Sequence, residues 1–363
     1  MSSRAPVTSS NRPAEATIAL LLLVACGSTA PASGSSSDDG SSGATTHGDA
    51  SSTTAVGDGS SDGSSGGGTG STGAGSSDDG TSGGVTPTPD DCITDVSAGH
   101  HVFECDGITY DVEVPQACLA APCGMVVDVH GLTMSAQMQD ANTNMRALGQ
   151  RFGYIVVQPN ANPAPPAASW NPAVDDDKIF DFMQRVAAAW DVDADRWHFT
   201  GFSQGGYMSW RFACAHADVL ASVAPGAACG QDAVYPDCQF TAERAPSEPL
   251  DIIYLHGTQD ALVGIACAQP RIDAVVEHFG LGAAESVESD DTHRWVRHSS
   301  DAMVLEYVEH DYEAASSIIR GHCYPGSSDP GGAPGQLFSF ACEGTSAFVW
   351  GEVVMQFFID HPR

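Results

Sequence analysis

Trp197-His198-Phe199-Thr200-Gly201-Phe202-Ser203-Gln204-Gly205-Gly206 decides how this chain is read. The run opens as a short apolar strand, passes through G-x-S-x-G, and continues into a helical pattern over Tyr207 to Ala217. Strand, turn and helix in that order hold a serine on a strained turn with its hydroxyl presented. The turn is tight, so its flanks must be nearly free of side chain, and glycine stands at both, Gly201 and Gly205. The first N–H groups of the helix point at the space where an oxyanion would form. The bland alternative is a Gly-rich strand–helix turn with an incidental serine.

A serine of this kind needs a base and a carboxylate, following it in the order Asp then His. Ile252-Ile253-Tyr254-Leu255 reads as a buried strand, and Asp260 lies in the loop after it, where open parallel sheets place their chemistry. Met303 to Val308 reads as the next strand, and His322 follows in the turn Gly321-His322-Cys323-Tyr324-Pro325-Gly326. Ser203 is therefore the expected nucleophile, His322 the base and Asp260 the group that fixes the imidazole tautomer. Asp218, Asp232 and Asp237 also follow the serine, but none ends a clear buried strand. His298 and His310 rival His322. His310 stands between Glu309 and Asp311 and reads as a solvated strand end.

The oxyanion needs a second N–H besides that of Gln204. Met125 to Val129 reads as a strand ending in His130-Gly131-Leu132, which makes Leu132 N–H the candidate. His130 and His256 both precede a glycine at a strand end and are expected to line the site. They lack the close pairing of a zinc motif, so no metal and no cofactor is expected.

These stretches resemble the secreted esterases that include polyhydroxybutyrate depolymerases, feruloyl esterases and acetylxylan esterases. The resemblance covers about residues 105 to 361. It rests on Tyr110 to Pro115, His130-Gly131, Phe152 to Asn160, Ser169-Trp170-Asn171, the approach Asp193 to Gly201, the His322 turn, and the run Trp350 to His361. That group usually has Trp where Tyr324 stands, and often Cys where Leu132 stands. The resemblance implies an α/β-hydrolase fold, with a mostly parallel sheet and helices on both faces. It also implies that Trp170, Asn171, His130 and Tyr324 lie on the substrate side. The substrate class it implies is a polyester, a hydroxycinnamoyl ester or an acetylated polysaccharide.

The chain has 363 residues and falls into three parts by composition. Residues 1–25 read as an export signal: Arg4 and Arg12, then the short apolar run Ile18 to Ala25. Leu23-Val24-Ala25-Cys26 resembles a bacterial lipobox, which would leave a lipid on Cys26; an ordinary cleaved signal is the alternative. Residues 26–89 are Gly, Ser, Thr and Asp with almost no large apolar side chain. They cannot bury enough surface to offset ordering entropy and read as a tether, spanning about 5–6 Å × √n. Residues 90–363 read as one catalytic domain, with apolar strands alternating with helical patterns at Asn144 to Phe152, Lys178 to Trp190, Gln204 to Ala217, Ile272 to Phe279 and Thr345 to Ile359. The expected location is exported, lipid-anchored at the envelope or secreted, with membrane contact through the N-terminal lipid only.

That domain holds 38 acidic against 12 basic residues, a formal net charge of −26. Nucleic acid is an improbable partner for such a surface. Asp191-Val192-Asp193-Ala194-Asp195 spaces carboxylates like a calcium loop but lacks its glycine and distal glutamate, so a helix-to-strand turn is expected. Cys26 aside, ten cysteines remain, an even number that argues for disulfides in an exported chain. Short spacings favour Cys118–Cys123 and Cys229–Cys238, and a bridge from Cys323 would anchor the His322 turn. The leading function is thus serine carboxylic-ester hydrolysis. A serine peptidase of the same fold and a non-catalytic surface binding module are the alternatives.

Overall fold

A computed structural model describes residues 86–229, 238–241 and 244–363. Cys26, the export signal, the tether up to residue 85, Asp232 and Asp237 lie outside these residues. At the centre is a ten-stranded sheet in the order β1-β2-β4-β3-β5-β6-β7-β10-β9-β8. Its strands are β1 (Gly99–Cys105), β2 (Ile108–Val114), β3 (Gly124–Val129), β4 (Tyr154–Asn160), β5 (Trp197–Phe202), β6 (Ser222–Gly226), β7 (Asp251–Gly257), β8 (Glu285–Ser289), β9 (His293–Ser299) and β10 (Val304–His310). The six strands from β4 to β10 in sheet order are parallel to their neighbours. The pairs at both edges are antiparallel. Every residue of β3, β5 and β6 is buried, as expected of strands covered on both faces. The edge strand β8 is exposed throughout.

Among the described residues six helices do the covering: α1 (Ala136–Thr143), α2 (Met145–Phe152), α3 (Asp175–Trp190), α4 (Gln204–Ala215), α5 (Ala268–Phe279) and α6 (Trp350–Asp360). Strand alternation divides the core. Met125, Val127, Phe199 and Tyr254 face α3, α4 and α5 in one cluster. Val126, Phe202, Ile253 and Val308 face α1, α2 and α6 in the other. This is the α/β-hydrolase arrangement of a largely parallel sheet between two helical layers. Residues 191–195 form the turn from α3 into β5, with Arg196 N–H donating to Asp193 O at 3.1 Å.

The structure departs from the sequence reading in places. Helix α1 was not anticipated. The last helix begins at Trp350 rather than Thr345, and α3 begins at Asp175 rather than Lys178. Cys118–Cys123 pair as expected, but Cys229 pairs with Cys267 and Cys238 with Cys214. Chain separation was a poor guide there. Cys229 follows β6 and meets the start of α5, while Cys238 meets α4. Cys92–Cys105 and Cys323–Cys342 complete the set among the described residues.

Candidate active site

Ser203 stands between β5 and α4 with φ 55° and ψ −116°, a conformation that costs a non-glycine residue about 1–3 kcal/mol. The turn is held by close backbone approach. A Cβ on Gly201 would lie 2.5 Å from Gly205 O, and one on Gly205 would lie 2.1 Å from Val129 O. Only hydrogen fits at either place. Ser203 N–H donates to Gly226 O at 2.8 Å, tying the turn to β6. The loop after β3 crosses directly over it: a Cβ on Gly131 would sit 3.1 Å from Ser203 Cβ. Gln204 N–H opens α4 and is one of the donors a helix leaves unpaired. Leu132 N–H makes no backbone hydrogen bond among the described residues.

Asp260 and His322 meet at the same edge. His322 Nδ1 lies 2.6 Å from Asp260 Oδ2. Asp260 Oδ1 accepts the N–H groups of Leu262 and Val263, each at 2.8 Å. Burial pushes this carboxyl up, but the His322 charge and hydrogen bond, with His256 and Val263 N–H, outweigh it and hold the group below the usual carboxylate range. An ionised carboxylate only accepts, so His322 Nδ1 carries the proton. In the neutral ring Nε2 is then an acceptor, and it is buried and without a partner among the described residues. The Phe202 ring, next to Ser203 in sequence, stands 4.8 Å from the imidazole.

Two glycines allow the His322 turn to reach Asp260. A Cβ on Gly257 would lie 2.1 Å from Gly321 O, and one on Gly321 would lie 2.7 Å from Asp260 N. Gly321 N–H donates to Gln259 O at 3.2 Å, and Ala261 N–H to Ile319 O at 3.3 Å. The disulfide Cys323–Cys342 then fixes the residue after His322.

The remaining expected site residues are placed as follows. Trp170 is buried; its Nε1–H donates to His130 O at 2.9 Å and its ring lies 4.8 Å from that of His130. His130 has both nitrogens engaged, with Gly131 O and with Ala161 N–H, and burial pushes it down to about 4. Asn171 is exposed, and its Oδ1 accepts from Ala173 N–H at 3.2 Å. Tyr324 is wholly buried, stacked on Phe202 at 4.0 Å, and so offers no surface to a ligand. Gln204 takes a further part: its Oε1 accepts Trp170 N–H at 2.9 Å, and its Nε2–H donates to Ser169 Oγ at 3.0 Å. His298 lies on β9 and contacts Gly282 O. His310 is not the solvated strand end expected. It is 1 % exposed, its ring abuts Gly257, and burial pushes it down to about 3.

One group escaped the sequence reading. Asp128, in the buried middle of the sheet, accepts from Gln139 Nε2 at 2.6 Å, Thr143 Oγ1 at 2.8 Å and Gln158 Nε2 at 2.8 Å. Burial raises it to about 6. Gln139 Oε1 in turn accepts the Tyr324 hydroxyl at 2.5 Å. The residue two places beyond His322 is thereby tied through α1 to β3. The signal was a carboxylate inside Met125-Val126-Val127-Asp128-Val129, since a charge in such a run requires partners.

The sheet and its two helical layers have the α/β-hydrolase fold. The chain matches no family model. It is similar to the bifunctional acetylxylan esterase/xylanase XynS20E of Neocallimastix patriciarum, 25% identical over 142 residues, 39% of this chain and 20% of that protein. It is also similar to feruloyl esterase B of Piromyces equi, 29% identical over 150 residues, 40% of this chain and 27% of that one. The chain thus matches only about a fifth to a quarter of the length of these relatives. An acetyl xylan esterase from Aspergillus awamori superposes with a TM-score of 0.48 at 16% identity, covering 60% of this chain and 91% of that one. At that score the superposition adds nothing about function. By sequence the chain is a distant relative of the α/β-hydrolase esterases.

Proposed function

We propose that the chain is a serine carboxylic-ester hydrolase working outside the cytoplasm. The observation that carries this reading is the 2.6 Å Asp260–His322 hydrogen bond, formed at the sheet edge where the strained turn holds Ser203. Ser203 Oγ attacks the ester carbonyl carbon while His322 Nε2 takes its proton. The oxyanion is met by the N–H groups of Gln204 and Leu132. The imidazolium, stabilised by Asp260, returns the proton to the leaving alcohol, and an acyl-enzyme remains. Water, deprotonated by the same imidazole, releases the acid and restores Ser203. No metal or cofactor enters this chemistry.

The relatives' names speak of acetylxylan and feruloyl esters, and a polyester follows from the sequence resemblance; these three are the substrates proposed. Residues 90–363 would be the catalytic unit, held on the 26–89 tether from a lipid on Cys26. The test is a panel of methyl ferulate, acetylated xylan, 3-hydroxybutyrate oligomers and p-nitrophenyl acetate beside a peptide anilide. Turnover of at least one ester with none of the anilide is expected. A protein inert toward every ester overturns the reading.

A further inference from the structure

His256 has no part in the steps above, yet it is fully buried beside them. Its Nε2 lies 2.7 Å from Val263 O, its Nδ1 lies 2.5 Å from the Tyr254 hydroxyl, and its Nε2 is also 3.6 Å from Asp260 Oδ2. A carbonyl can only accept, so Nε2 carries the proton. Burial disfavours the charged ring, although Asp260 opposes that. In the neutral ring Nδ1 is then an acceptor, and Tyr254 is the donor to it. The hydrogen bonds therefore converge on Asp260 from two sides. Tyr254 donates to His256, and His256 donates to the carbonyl of Val263. The N–H of that same residue donates to Asp260 Oδ1 at 2.8 Å, and Asp260 Oδ2 receives His322.

We infer that His256 is a positioning residue, which pins the Val263 end of the Asp260 loop so that Asp260 Oδ2 stays aimed at His322. The backbone N–H of Val263 reaches Asp260 only while its carbonyl is held, and His256 is the side chain that holds it. Tyr254, two residues back along the strand and so on the same face, fixes the ring orientation. Asp260 and His322 from their loops, His310 and Glu309 from β10, and Tyr254 from β7 are the titratable groups around the ring. The inference rests on the reading of Asp260 and His322 given under Proposed function.

The test uses the full chain in three variants. His256→Phe keeps volume and removes both nitrogens. His256→Gln keeps an N–H able to reach Val263 O. Tyr254→Phe removes only the donor to Nδ1. With p-nitrophenyl acetate, His256→Phe is expected to lower kcat about 10²-fold with KM within about twofold, the scale of an ångström-sized misplacement. His256→Gln should recover most of that loss, and Tyr254→Phe should fall between. The acid limb of the kcat/KM profile should move to lower pH in His256→Phe, because a carboxylate held against an imidazole favours its charged form. The low-field proton resonance of His322 Nδ1–H, which does not depend on turnover, should broaden or vanish in His256→Phe and persist in His256→Gln. Wild-type kcat and an unaltered resonance in His256→Phe overturn the inference. Should His256→Phe fail to fold, wild-type values in Tyr254→Phe overturn it equally. A wild-type protein that shows the resonance but hydrolyses no ester sinks the esterase reading and leaves the positioning role standing on the resonance series.

Discussion

The turn that carries Ser203 and the turn that carries His322 reach the same sheet edge by opposite means. The Ser203 turn is built locally. Its strand, its two close-packed glycines and its helix follow one another without a break over residues 197–215, and its contacts, those with β3 and β6 included, are backbone against backbone. The His322 turn is assembled from afar. It leans on Gly257 of β7, on a disulfide to Cys342, and on a Tyr324 hydroxyl bonded to Gln139 of α1. A local device is set by short-range sterics and tolerates little change. A distributed device divides its stability over several contacts, so each can be weakened in turn.

Substitutions can break that comparison, beginning with the largest effect. His322→Ala is expected to cost about 10⁶ in kcat, and Asp260→Asn about 10⁴, with both proteins folded. Circular dichroism beside steady-state kinetics checks both. Equal, small losses would mean that the pair serves packing only. Gly205→Ala is expected to cost about 3 kcal/mol or more and to leave little folded protein, because its Cβ would lie 2.1 Å from Val129 O. Urea titration of the soluble fraction measures it. By contrast, the double change Cys323→Ala with Cys342→Ala opens a loop of separation 19 and should cost about 3 kcal/mol while leaving a folded, partly active enzyme. A variant of that pair that keeps full activity and stability would show that the bridge does not hold the turn.

The smallest effect concerns His310. Burial holds its folded pKa near 3, while the unfolded imidazole titrates at about 6.5. Above that value neither state binds the proton and His310 has no effect on stability. As pH falls below it, the unfolded chain takes up a proton that the folded ring refuses, so stability falls by about 1.4 kcal/mol per pH unit until the folded pKa is reached. His130 and His198, pushed down to about 4 and about 3 by burial, act in the same sense in every variant. His310→Leu should therefore flatten the acid side of the stability curve and leave the neutral side nearly unchanged, measured by urea unfolding at pH 4.5 and 7.5. Identical curves for the two proteins would return His310 to solvent.

What could be read in the sequence follows the same division. The Ser203 turn was legible because all its information is contiguous. Asp260 was legible because it ends a buried strand. Helix α1 was not, because Gln139, Asn142 and Thr143 are buried yet polar. Gln139 and Thr143 face the Asp128 carboxylate and Asn142 faces Ser327 and Asp329, rather than an apolar core, so the helical period carries no hydrophobic stripe. His310 was misread because Glu309 and Asp311 flank it. Strand alternation sends those neighbours outward and the histidine inward. Short spacing misled the reading of Cys229 and Cys238, whose partners are set by the packing of α4 and α5 against the sheet.

The central claim is that Ser203 is the atom source for a covalent intermediate, and trapping it is the most direct test. Wild-type protein treated with a fluorophosphonate should gain one adduct, mapped by peptide mass spectrometry to the segment containing Ser203, with loss of ester turnover in step. Ser203→Ala should take no adduct, retain its melting temperature, and lose about 10⁶ in kcat. An adduct on another residue, or a Ser203→Ala protein that hydrolyses esters near the wild-type rate, would contradict the claim.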